Sequence, residues 1–555
     1  MAAHMDVVYN FMGATTALAQ VLLLFIVPLM LLLRVASRSR KPLPPSPPGL
    51  PFIGHLLLVG NHPHVSFRDL AARHGRAGLM LLRLGAVRNL VVSSPDAARA
   101  VLRTHDHVFA SRPASALIDG LVYGSSSVGF APYGEHWRQV RKLVTTHLRK
   151  EGALLPPRSP GRGNSFIPAA FLFFVIMPIF FSKVRLVITK LREAAAAGVE
   201  VDISETVNAF ANDIICRAVC GKFFREEGRN KLFRKLNHVT TVLVAGFNVE
   251  DYFPMLVKSL GFFNRFMSSR VKRTHERWDK LLEEIIGDHE RRRSYKHGHG
   301  TEGGAVEQEE SDFIDVMLSV QQEYGITRDH IKAILMDMFE AGTATSSSVL
   351  EHAMVELMRN PRLMAKLQAE VRNKTPKGQK MVKEENLTSM VYLRAVVKET
   401  LRLHPPVPLL VPHQSMGDCD INGYTIPSGT KVIINSWAIS RDSKSWEMAE
   451  EFMPERFMDG GSAADIELKG NDFEFTPFGA GRRMCPGINF GLATIDIMLA
   501  NLMYCFDWTL PSGMEKEDID MTEVFGLSVH RKEKLILVPK PQGTLLMTCK
   551  LKQDQ

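Results

Sequence analysis

The residues best suited to chemistry lie in the loop Pro477–Gly487, which reads PFGAGRRMCPG. The loop places one of the six cysteines of the chain, Cys485, among glycines, prolines and two arginines. An apolar, periodic segment follows from Ile488 to Phe506, and the N-terminus of such a helix lowers the pKa of a nearby thiol. Because a thiolate is both a nucleophile and a metal ligand, the loop predicts one of these two roles for Cys485.

Three neighbours of the cysteine favour a bound cofactor. Gly481 and Gly487 would permit backbone turns that a side chain blocks. Arg483 lies two residues before the cysteine, where it could bind a carboxylate of a cofactor. A nucleophilic cysteine would instead need a histidine and an orienting group, which cannot be seen in the sequence.

Charged and aromatic residues at helical spacing add further candidates. The segment KETLR places Glu399 and Arg402 at i and i+3, where they can pair on one helix face. The segment WRQVRK places Trp137 and Arg141 on one face in the same way. Either pattern alone is also typical of a surface helix, so each gains meaning only from its position relative to Cys485.

These groups must be positioned by a body that is mostly helical. The longest periodic stretch runs from Thr327 to Arg359, and Asn360-Pro361 should end it. A small hairpin is predicted for Leu79–Leu84 and Val87–Ser93, and Ser94-Pro95 should start the next helix. A helix as long as the one predicted from Thr327 to Arg359 should be central to the fold.

The N-terminal segment predicts a membrane anchor. Phe11 to Leu33 contains 23 residues without a charge, enough to span a hydrocarbon core. A cleaved signal peptide is the alternative, but its apolar region is shorter and follows a basic segment that this chain lacks. Positive charge stays cytoplasmic, and it follows at once in Arg34, Arg38, Arg40 and Lys41. Residues 1–34 are therefore predicted to anchor a body that faces the cytosol.

Composition and charge exclude several classes of protein and support the proposed division of the chain. A Pro-rich hinge, residues 35–51, should connect the anchor to a body of residues 52–555. The net charge of +9 favours acidic partners or anionic surfaces, but no clustered basic-aromatic pattern predicts a nucleic-acid binder. The cysteines form no CxxC pair, which disfavours a disulfide scaffold, a zinc ribbon and a four-cysteine iron–sulfur site. Cys216 and Cys220 are expected to be buried apolar residues.

The cysteine loop resembles the haem loop of the cytochrome P-450 family, whose pattern is FxxGxRxCxG. The matching residues are Phe478, Gly481, Arg483, Cys485 and Gly487. KETLR lies about 85 residues before the cysteine and PERF lies between them, which is the order of the family's motifs. The resemblance covers roughly residues 42–150 and 185–540, and in detail it is similar to the plant microsomal A-type group, the CYP seventy-one clan.

The resemblance implies a mainly α fold with small β-sheets (α+β), the cytochrome P-450 fold, with a single N-terminal transmembrane helix. It implies haem b (iron protoporphyrin IX), with the axial thiolate from Cys485 as the metal ligand. The residues implied to hold the haem are Trp137, Arg141, His413, Phe478, Gly481, Arg483 and Gly487. A buried triad that braces the haem loop is implied for Glu399, Arg402 and Arg456. The catalytic residues implied on the oxygen side are Thr345, a proton-relay hydroxyl, and the small Ala341 and Gly342.

The activity implied by the resemblance is that of a monooxygenase. Electrons from NADPH would arrive through NADPH–cytochrome P-450 reductase, and one atom of O2 would enter a lipophilic small molecule. Apolar residues in the segments where the family contacts substrate suggest a plant specialised metabolite such as a terpenoid. The expected location is the endoplasmic reticulum membrane, with one span in membrane lipid and the catalytic domain in the cytosol. A basic face near Arg138 and Lys142 is expected to receive the acidic reductase.

One departure from the family affects the oxygen side. Ala344 stands where the family usually has Asp or Glu just before the threonine, and Glu340, four residues earlier, need not replace that acid. A haem-thiolate isomerase or dehydratase that needs no reductase is therefore an alternative function.

A second departure is the segment 151–182, where the resemblance fails. Phe166 to Phe181 is apolar, and Pro168 and Pro178 are expected to break any helix there. The segment is interpreted as an atypical insert, either a gene-model artefact or a second membrane contact. A chain that this segment misfolds and inactivates is the other alternative.

Overall fold

The computed structural model describes residues 42–148, 170–221, 227–245, 248–254, 263–298 and 312–542. The helices are α1 (Pro63–His74), α2 (Pro95–Arg99), α3 (Ala116–Leu121), α4 (Glu135–Leu148), α5 (Ala170–Ala197), α6 (Ile203–Cys220), α7 (Glu227–Ala245), α8 (Val249–Tyr252), α9 (Phe263–Gly298), α10 (Phe313–Val320), α11 (Arg328–Arg359), α12 (Pro361–Lys374), α13 (Glu384–Leu387), α14 (Val391–Leu403), α15 (Ser436–Ile439) and α16 (Ile488–Cys505). The strands are β1 (Leu79–Leu84), β2 (Val87–Val92), β3 (Val201–Asp202), β4 (His413–Gln414), β5 (Cys419–Ile421), β6 (Tyr424–Ile426), β7 (Lys431–Ile434), β8 (Phe506–Thr509), β9 (Glu523–Val524), β10 (His530–Arg531) and β11 (Ile536–Pro541). The described chain is thus mainly helical with small sheets, as expected.

The predicted hairpin is confirmed as β1 and β2, which pair antiparallel with Leu84 opposite Val87. Gly85 makes the turn at φ +62°, and a Cβ there would lie 2.5 Å from the carbonyl oxygen of Tyr252. The sheet continues in the order β1-β2-β7-β4, with β7 parallel to β2. Ser94 caps α2 through a hydrogen bond from the Ala97 amide to its Oγ, as its position before a proline predicts.

The long central helix is also confirmed. Thr327 caps α11, because its Oγ1 accepts from the amide of His330, and a new helix starts at Pro361. The N-terminal half of α11 lies in one hydrophobic core with α3, α6 and α9. Its C-terminal half lies in a second core with α5, α12, α14 and α16. The stretch between the two halves, residues 340–345, is therefore where α11 can face an internal site.

Helix α5 corrects one expectation. The helix passes through Pro178, although this proline was expected to break it. A proline removes one helical hydrogen bond and strains the preceding turn, but the second half of α5 packs firmly. Its side chains of Val184, Ile188 and Leu191 are buried in the core beside α6 and α16. Tertiary packing of this half therefore outweighs the local cost of the proline.

The two predicted membrane contacts lie mostly outside the described residues. The span Phe11–Leu33 is outside them, as are residues 149–169 of the atypical segment. Among the described residues one helix, α16, is long and apolar enough to cross a membrane, and half of it is buried within the fold. The described part of the Pro-rich hinge contacts the body: Leu81 donates its amide to the Pro45 carbonyl, and Thr425 donates to that of Pro42.

Candidate active site

The cysteine loop is held by its own backbone. The amide of Cys485 donates to the carbonyl of Phe478 at 2.9 Å, and Met484 donates to Gly481 at 3.1 Å. Gly481–Arg483 form one 3₁₀ turn, and α16 begins three residues after the cysteine. The loop therefore presents the Cys485 side chain at the N-terminus of a core helix, as predicted.

The two predicted glycines differ in what they do. Gly481 has φ +67°, and a Cβ there would lie 2.2 Å from the carbonyl oxygen of Leu102, so only glycine fits. Gly487 has φ −95°, and no described atom lies within 4 Å of a Cβ built on it. The prediction that a turn requires glycine is thus confirmed at Gly481 and wrong at Gly487.

The thiol of Cys485 corrects another expectation. Burial raises its pKa, although the amide of Gly487 and the charge of Arg141 act in the opposite direction. The helix end alone therefore does not produce a thiolate. A bound metal ion deprotonates a coordinating thiol outright, so Cys485 fits a ligand that ionises on binding better than a free nucleophile.

Buried cations surround the cysteine loop. Arg483 is 8% exposed, and it donates to the main-chain carbonyls of Ala110 and Ala131 at 2.7 and 2.6 Å. Its guanidinium lies 4.1 Å from the ring centroid of Trp137. Burial and the nearby Arg141 lower the pKa of Arg483 to about 9.

A second buried arginine, Arg112, was missed by sequence reasoning. Its Nη1 donates to the carbonyls of Val411 and Pro412 at 2.6 and 2.9 Å. Burial and repulsion from Arg483 lower its pKa. The only signal in the sequence was a lone arginine after the apolar run Val108–Ala110.

Arg141 and His413 complete the cluster. Arg141 donates to the carbonyl of Met484, next to the cysteine. His413 lies on β4 with its Nδ1 2.8 Å from the Phe109 carbonyl, and burial together with the charge of Arg112 lowers its pKa to about 3. The indole of Trp137 donates to the carbonyl of Val128 at 3.1 Å.

The donor set fits the implied haem. Within the described part of the chain, no carboxylate forms an ion pair with the buried Arg112 and Arg483 or with the half-buried Arg141. Asp337 and Asp106 act on Arg112 and Arg483 only from a distance, so the cluster keeps an excess of positive charge. Buried charges are ordinarily paired, and the two carboxylates of a haem would balance them beside a thiol that can ligate iron. Cations for the carboxylates and sulfur for the metal thus occur in one place.

Across from the cysteine loop, α11 carries an accessible stripe. The residues of this helix that are not buried between Ile331 and Met358 are Asp337, Glu340, Ala341, Gly342, Ala344 and Thr345. The Thr345 hydroxyl donates to the Ala341 carbonyl at 2.6 Å. The start of α16 approaches here, because a Cβ on Gly491 would lie 3.8 Å from Ser346 Oγ. The stripe and the partly accessible residues 484–493 therefore lie on neighbouring segments of the fold.

Gly342 has a packing role that the sequence did not reveal. A Cβ on Gly342 would lie 2.9 Å from Cγ1 and 3.0 Å from Cδ1 of Ile215. The missing side chain therefore faces α6 and lets the two helices approach, while Ala341 and Thr345 lie on the accessible stripe.

The predicted triad is assembled in the interior. Arg402 donates from Nε and Nη2 to the two carboxylate oxygens of Glu399 at 2.8 and 2.9 Å, and Arg456 donates to Glu399 Oε1 at 3.1 Å. All three side chains are essentially inaccessible. The guanidinium of Arg402 also lies 5.2 Å from the ring centroid of Trp446.

Aromatic contacts connect the triad to the cysteine loop. Trp446 and Phe457 pack against Phe475, with ring centroids 6.0 and 5.4 Å from it. Phe475 comes two residues before the loop begins. Through Trp446 and Phe457 the triad is therefore in packing contact with the chain that leads into the loop.

The apolar segments expected to contact substrate are largely core. Leu117, Ile118, Leu121, Val122 and Leu243 are buried in the core that contains the N-terminal half of α11. Phe247 lies outside the described residues. Glu340 lies within another of the segments expected to contact substrate, residues 338–345, but no role was predicted for its side chain.

Comparisons with known proteins agree with this architecture. The family model described as cytochrome P-450 matches residues 44–159 and 162–538, and so it also spans most of the atypical segment. The chain is 52% identical to an indole-2-monooxygenase of Zea mays, over 89% of this chain and 87% of the relative. It is 47% identical to a 3-hydroxyindolin-2-one monooxygenase of Zea mays, over 92% of this chain and 93% of the relative.

Two further comparisons concern a more distant relative and a solved structure. A premnaspirodiene oxygenase of Hyoscyamus muticus is 42% identical over 91% of this chain and 94% of the relative. A solved structure of a zebra fish cytochrome P-450 with progesterone superposes with a TM-score of 0.68 at 24% identity, covering 87% of this chain and all of that one. The last likeness concerns the fold alone.

Proposed function

The chain belongs to the cytochrome P-450 family, and from this premise we propose that it is a membrane-anchored monooxygenase that oxidises an indole-type heterocycle. Enzymes of this family bind haem through a cysteine thiolate. Cys485 supplies that thiolate here, since it follows the family pattern and lies beside buried cations that suit haem carboxylates. Thiolate-ligated haem activates O2, so that one oxygen atom enters the substrate and the other leaves as water.

The chain's own residues have distinct tasks in this proposal. Arg112, Arg141 and Arg483 would hold and orient the carboxylates of the cofactor. His413 donates its Nδ1 proton to the Phe109 carbonyl, so it would donate to a carboxylate from Nε2 once that carboxylate draws a second proton onto the ring. Thr345 donates a hydrogen bond from its hydroxyl to the Ala341 carbonyl, and its lone pairs remain available to accept a hydrogen bond from water. The apolar walls around α3 and α11 exclude bulk water from the reacting centre.

The single observation that carries the substrate class is the 52% identity to an indole-2-monooxygenase over most of both chains. The relative named for 3-hydroxyindolin-2-one adds a second indole-derived substrate at 47% identity. A terpenoid is the second candidate, supported by the apolar segments and by the oxygenase named for premnaspirodiene at 42% identity. The names of all three relatives describe oxygenation, which favours oxygenation over the alternative of a reductase-free isomerase or dehydratase.

Anchoring and the redox partner complete the proposal. Residues Phe11–Leu33 hold the enzyme in the endoplasmic reticulum membrane, with the body in the cytosol. A reductase delivers electrons from NADPH at the basic face of α4. Lys142 is exposed there, whereas Arg138 already pairs with Glu135.

We expect Lys142→Glu to slow reduction of the haem by reductase more than Arg138→Gln does. The measurement is the stopped-flow rate of reduction, and a rate for Lys142→Glu that matches wild type would remove Lys142 from the docking face.

The function is tested on the full chain in microsomes. We expect the reduced, carbon-monoxide difference spectrum to show the strongly red-shifted Soret band of thiolate-ligated haem, and Cys485→Ala to lose it. We then expect indole or indolin-2-one to be hydroxylated only when reductase and NADPH are both present. Product formation without reductase would contradict the monooxygenase, and turnover of terpenoids alone would replace the substrate class.

A further inference from the structure

Asp337, an acid of α11, has no task in the chemistry described so far. Its Oδ2 accepts a hydrogen bond from the amide of Gly129 at 2.8 Å. Gly129 lies 208 residues earlier in the chain, in the loop between α3 and α4. The carboxyl group therefore ties the central helix to a loop that also contacts the buried arginines beside the cysteine.

The same loop supplies the carbonyls that orient two of the buried cations. The carbonyl of Gly129 accepts from Nε of Arg112 at 2.9 Å. The carbonyls of Val128 and Ala131 accept from Nη1 and Nη2 of Arg483 at 3.3 and 2.6 Å. Since each guanidinium is planar, a shift of residues 128–131 would change the direction in which both arginines present their remaining donors.

Arg112 shows which donors remain. Its Nη1 donates to the carbonyls of Val411 and Pro412, so three of its five N–H groups are used once Nε is bound to Gly129. Among the residues that the structure describes, none hydrogen-bonds to Nη2. The two N–H groups of Nη2 are therefore left for a carboxylate, and the Gly129 carbonyl fixes their orientation.

The charge of Asp337 suits this contact. Burial raises its pKa to about 6, although the amides of Gly129 and Val128 and the charge of Arg112 act in the opposite direction. The carboxyl group is therefore mostly ionised near neutral pH. An ionised acceptor forms a stronger hydrogen bond with an amide than a neutral one does, so the carboxylate holds the loop more firmly than a neutral side chain would.

We propose that Asp337 is a positioning residue of the haem site: it fixes residues 128–131 in the place from which their carbonyls aim Arg112 and Arg483 at the haem carboxylates. The inference rests on the proposed function, because that function makes haem the ligand of the two arginines. Asp337 acts through the loop and not by contact with the reacting atoms. It thereby couples the helix that carries Thr345 to the part of the site that holds the haem carboxylates.

The test is the rate at which haem leaves the haem-loaded, full-length enzyme in detergent, measured by transfer to an excess of apomyoglobin. We expect Asp337→Leu to release haem about ten- to hundredfold faster, which is the effect of losing one hydrogen bond to a charged group. Asp337→Asn has the same shape and keeps an acceptor for the Gly129 amide. It should therefore restore a release rate close to that of wild type.

A double-mutant cycle separates positioning from a general loss of stability. Arg112→Met should itself speed the release of haem, because it removes donors to a carboxylate. Since Asp337 acts partly through Arg112, adding Asp337→Leu to Arg112→Met should speed release by a smaller factor than it does in wild type. The same factor in both backgrounds overturns the proposal.

Two further variants keep the test decisive. Val355→Ala removes apolar atoms from the other half of α11, where Val355 is buried, and should leave the rate of haem release unchanged. An acceleration in Val355→Ala equal to that in Asp337→Leu would assign the effect to helix packing and overturn the proposal. If Asp337→Leu does not fold, Asp337→Ser takes its place in both backgrounds, because its side chain is polar but too short to reach the amide.

The remaining outcomes distinguish this inference from the function on which it rests. Normal haem binding, with release from Asp337→Leu at the wild-type rate, overturns the positioning role and leaves the monooxygenase intact. A wild-type chain that binds no haem at all overturns the proposed function and the positioning role together.

Discussion

Gly481 shows how closely the cysteine loop is fitted to its surroundings. We expect Gly481→Ala to lose most of the carbon-monoxide band, because a Cβ would lie 2.2 Å from the Leu102 carbonyl at a φ of +67°. The left-handed conformation alone costs alanine about 1–2 kcal/mol, and the contact adds to it. The measurement is the haem content of the purified variant.

Gly134→Ala is the control for this prediction. Gly134 comes just before α4, its φ is not positive, and no described atom lies within 4 Å of a Cβ built there. Normal haem content in Gly481→Ala would show that the loop tolerates a side chain at this position. An equal loss in Gly134→Ala would show that the loss does not come from the contact with the Leu102 carbonyl.

Single residues were predictable where spacing alone defines them. Cys485 and the triad of Glu399, Arg402 and Arg456 were found because their motifs have fixed order and spacing. Arg112 was missed because its carbonyl partners, Val411 and Pro412, lie about 300 residues away. The pKa of Cys485 was expected to fall, and it rises because burial outweighs the helix end.

At the scale of elements, α11 contacts α6 at Gly342. Whether Gly342→Ala raises or lowers stability should depend on the side chain of Ile215. Alanine is a better helix former than glycine by about 1 kcal/mol. In wild type, however, a Cβ on Gly342 would lie 2.9 Å from Ile215 Cγ1, and such overpacking costs about 1–3 kcal/mol. We expect Gly342→Ala to lower stability in the wild-type background and to raise it in the Ile215→Ala background.

The two pairs of variants are compared by urea-induced loss of the carbon-monoxide band. A coupling between the sites of about 1 kcal/mol or more would confirm the direct contact. The same effect of Gly342→Ala in both backgrounds would mean that Ile215 does not limit how closely the helices pack.

Whole elements were predicted best where caps and periodicity agree. Thr327 and Asn360-Pro361 bound α11 as expected, and the hairpin of β1 and β2 follows its apolar runs. The prediction from Pro178 was wrong because the packing of Val184, Ile188 and Leu191 stabilises α5 despite the proline. Rules based on neighbouring residues do not include contacts with distant helices. The continuation of α5 through Pro178 could therefore not be predicted from the sequence.

At the scale of the molecule, a buried charge cluster joins α11, α14 and β9. His404 Nε2 lies 2.8 Å from Glu356 Oε1 and its Nδ1 lies 3.7 Å from Glu523 Oε1. His352 stacks on His404 with ring centroids 4.6 Å apart. Burial opposes each charge, but the mutual contacts outweigh it: they raise the pKa of His404 and lower those of Glu356 and Glu523.

The signs of these shifts define a pH window. The raised pKa of His404 contributes stability that is full below about pH 6.5 and is lost as pH rises through the folded value. The lowered pKa values of the glutamates contribute stability that is present above about pH 4.3 and is lost as pH falls. The cluster therefore stabilises the fold most between these limits.

We expect wild type to lose stability faster than His404→Gln as the pH rises above about 6.5. The reason is that the charged His404 ring loses its proton in this range, and the variant has no such group at this position. The measurement is the apparent melting temperature of the haem-loaded protein from pH 5 to 9. Parallel curves for the two proteins would show that His404 is not charged in the folded state.

The parallel pairing of β2 with β7 has a consequence for synthesis on the ribosome. Asn89–Val92 pair with Lys431–Ile434, about 340 residues later in the chain. At about 5–20 residues per second, the hairpin of β1 and β2 waits for roughly tens of seconds with one edge unpaired. An unpaired edge strand recruits other chains, so the newborn protein passes through a period in which its N-terminal hairpin needs shielding before the sheet can close.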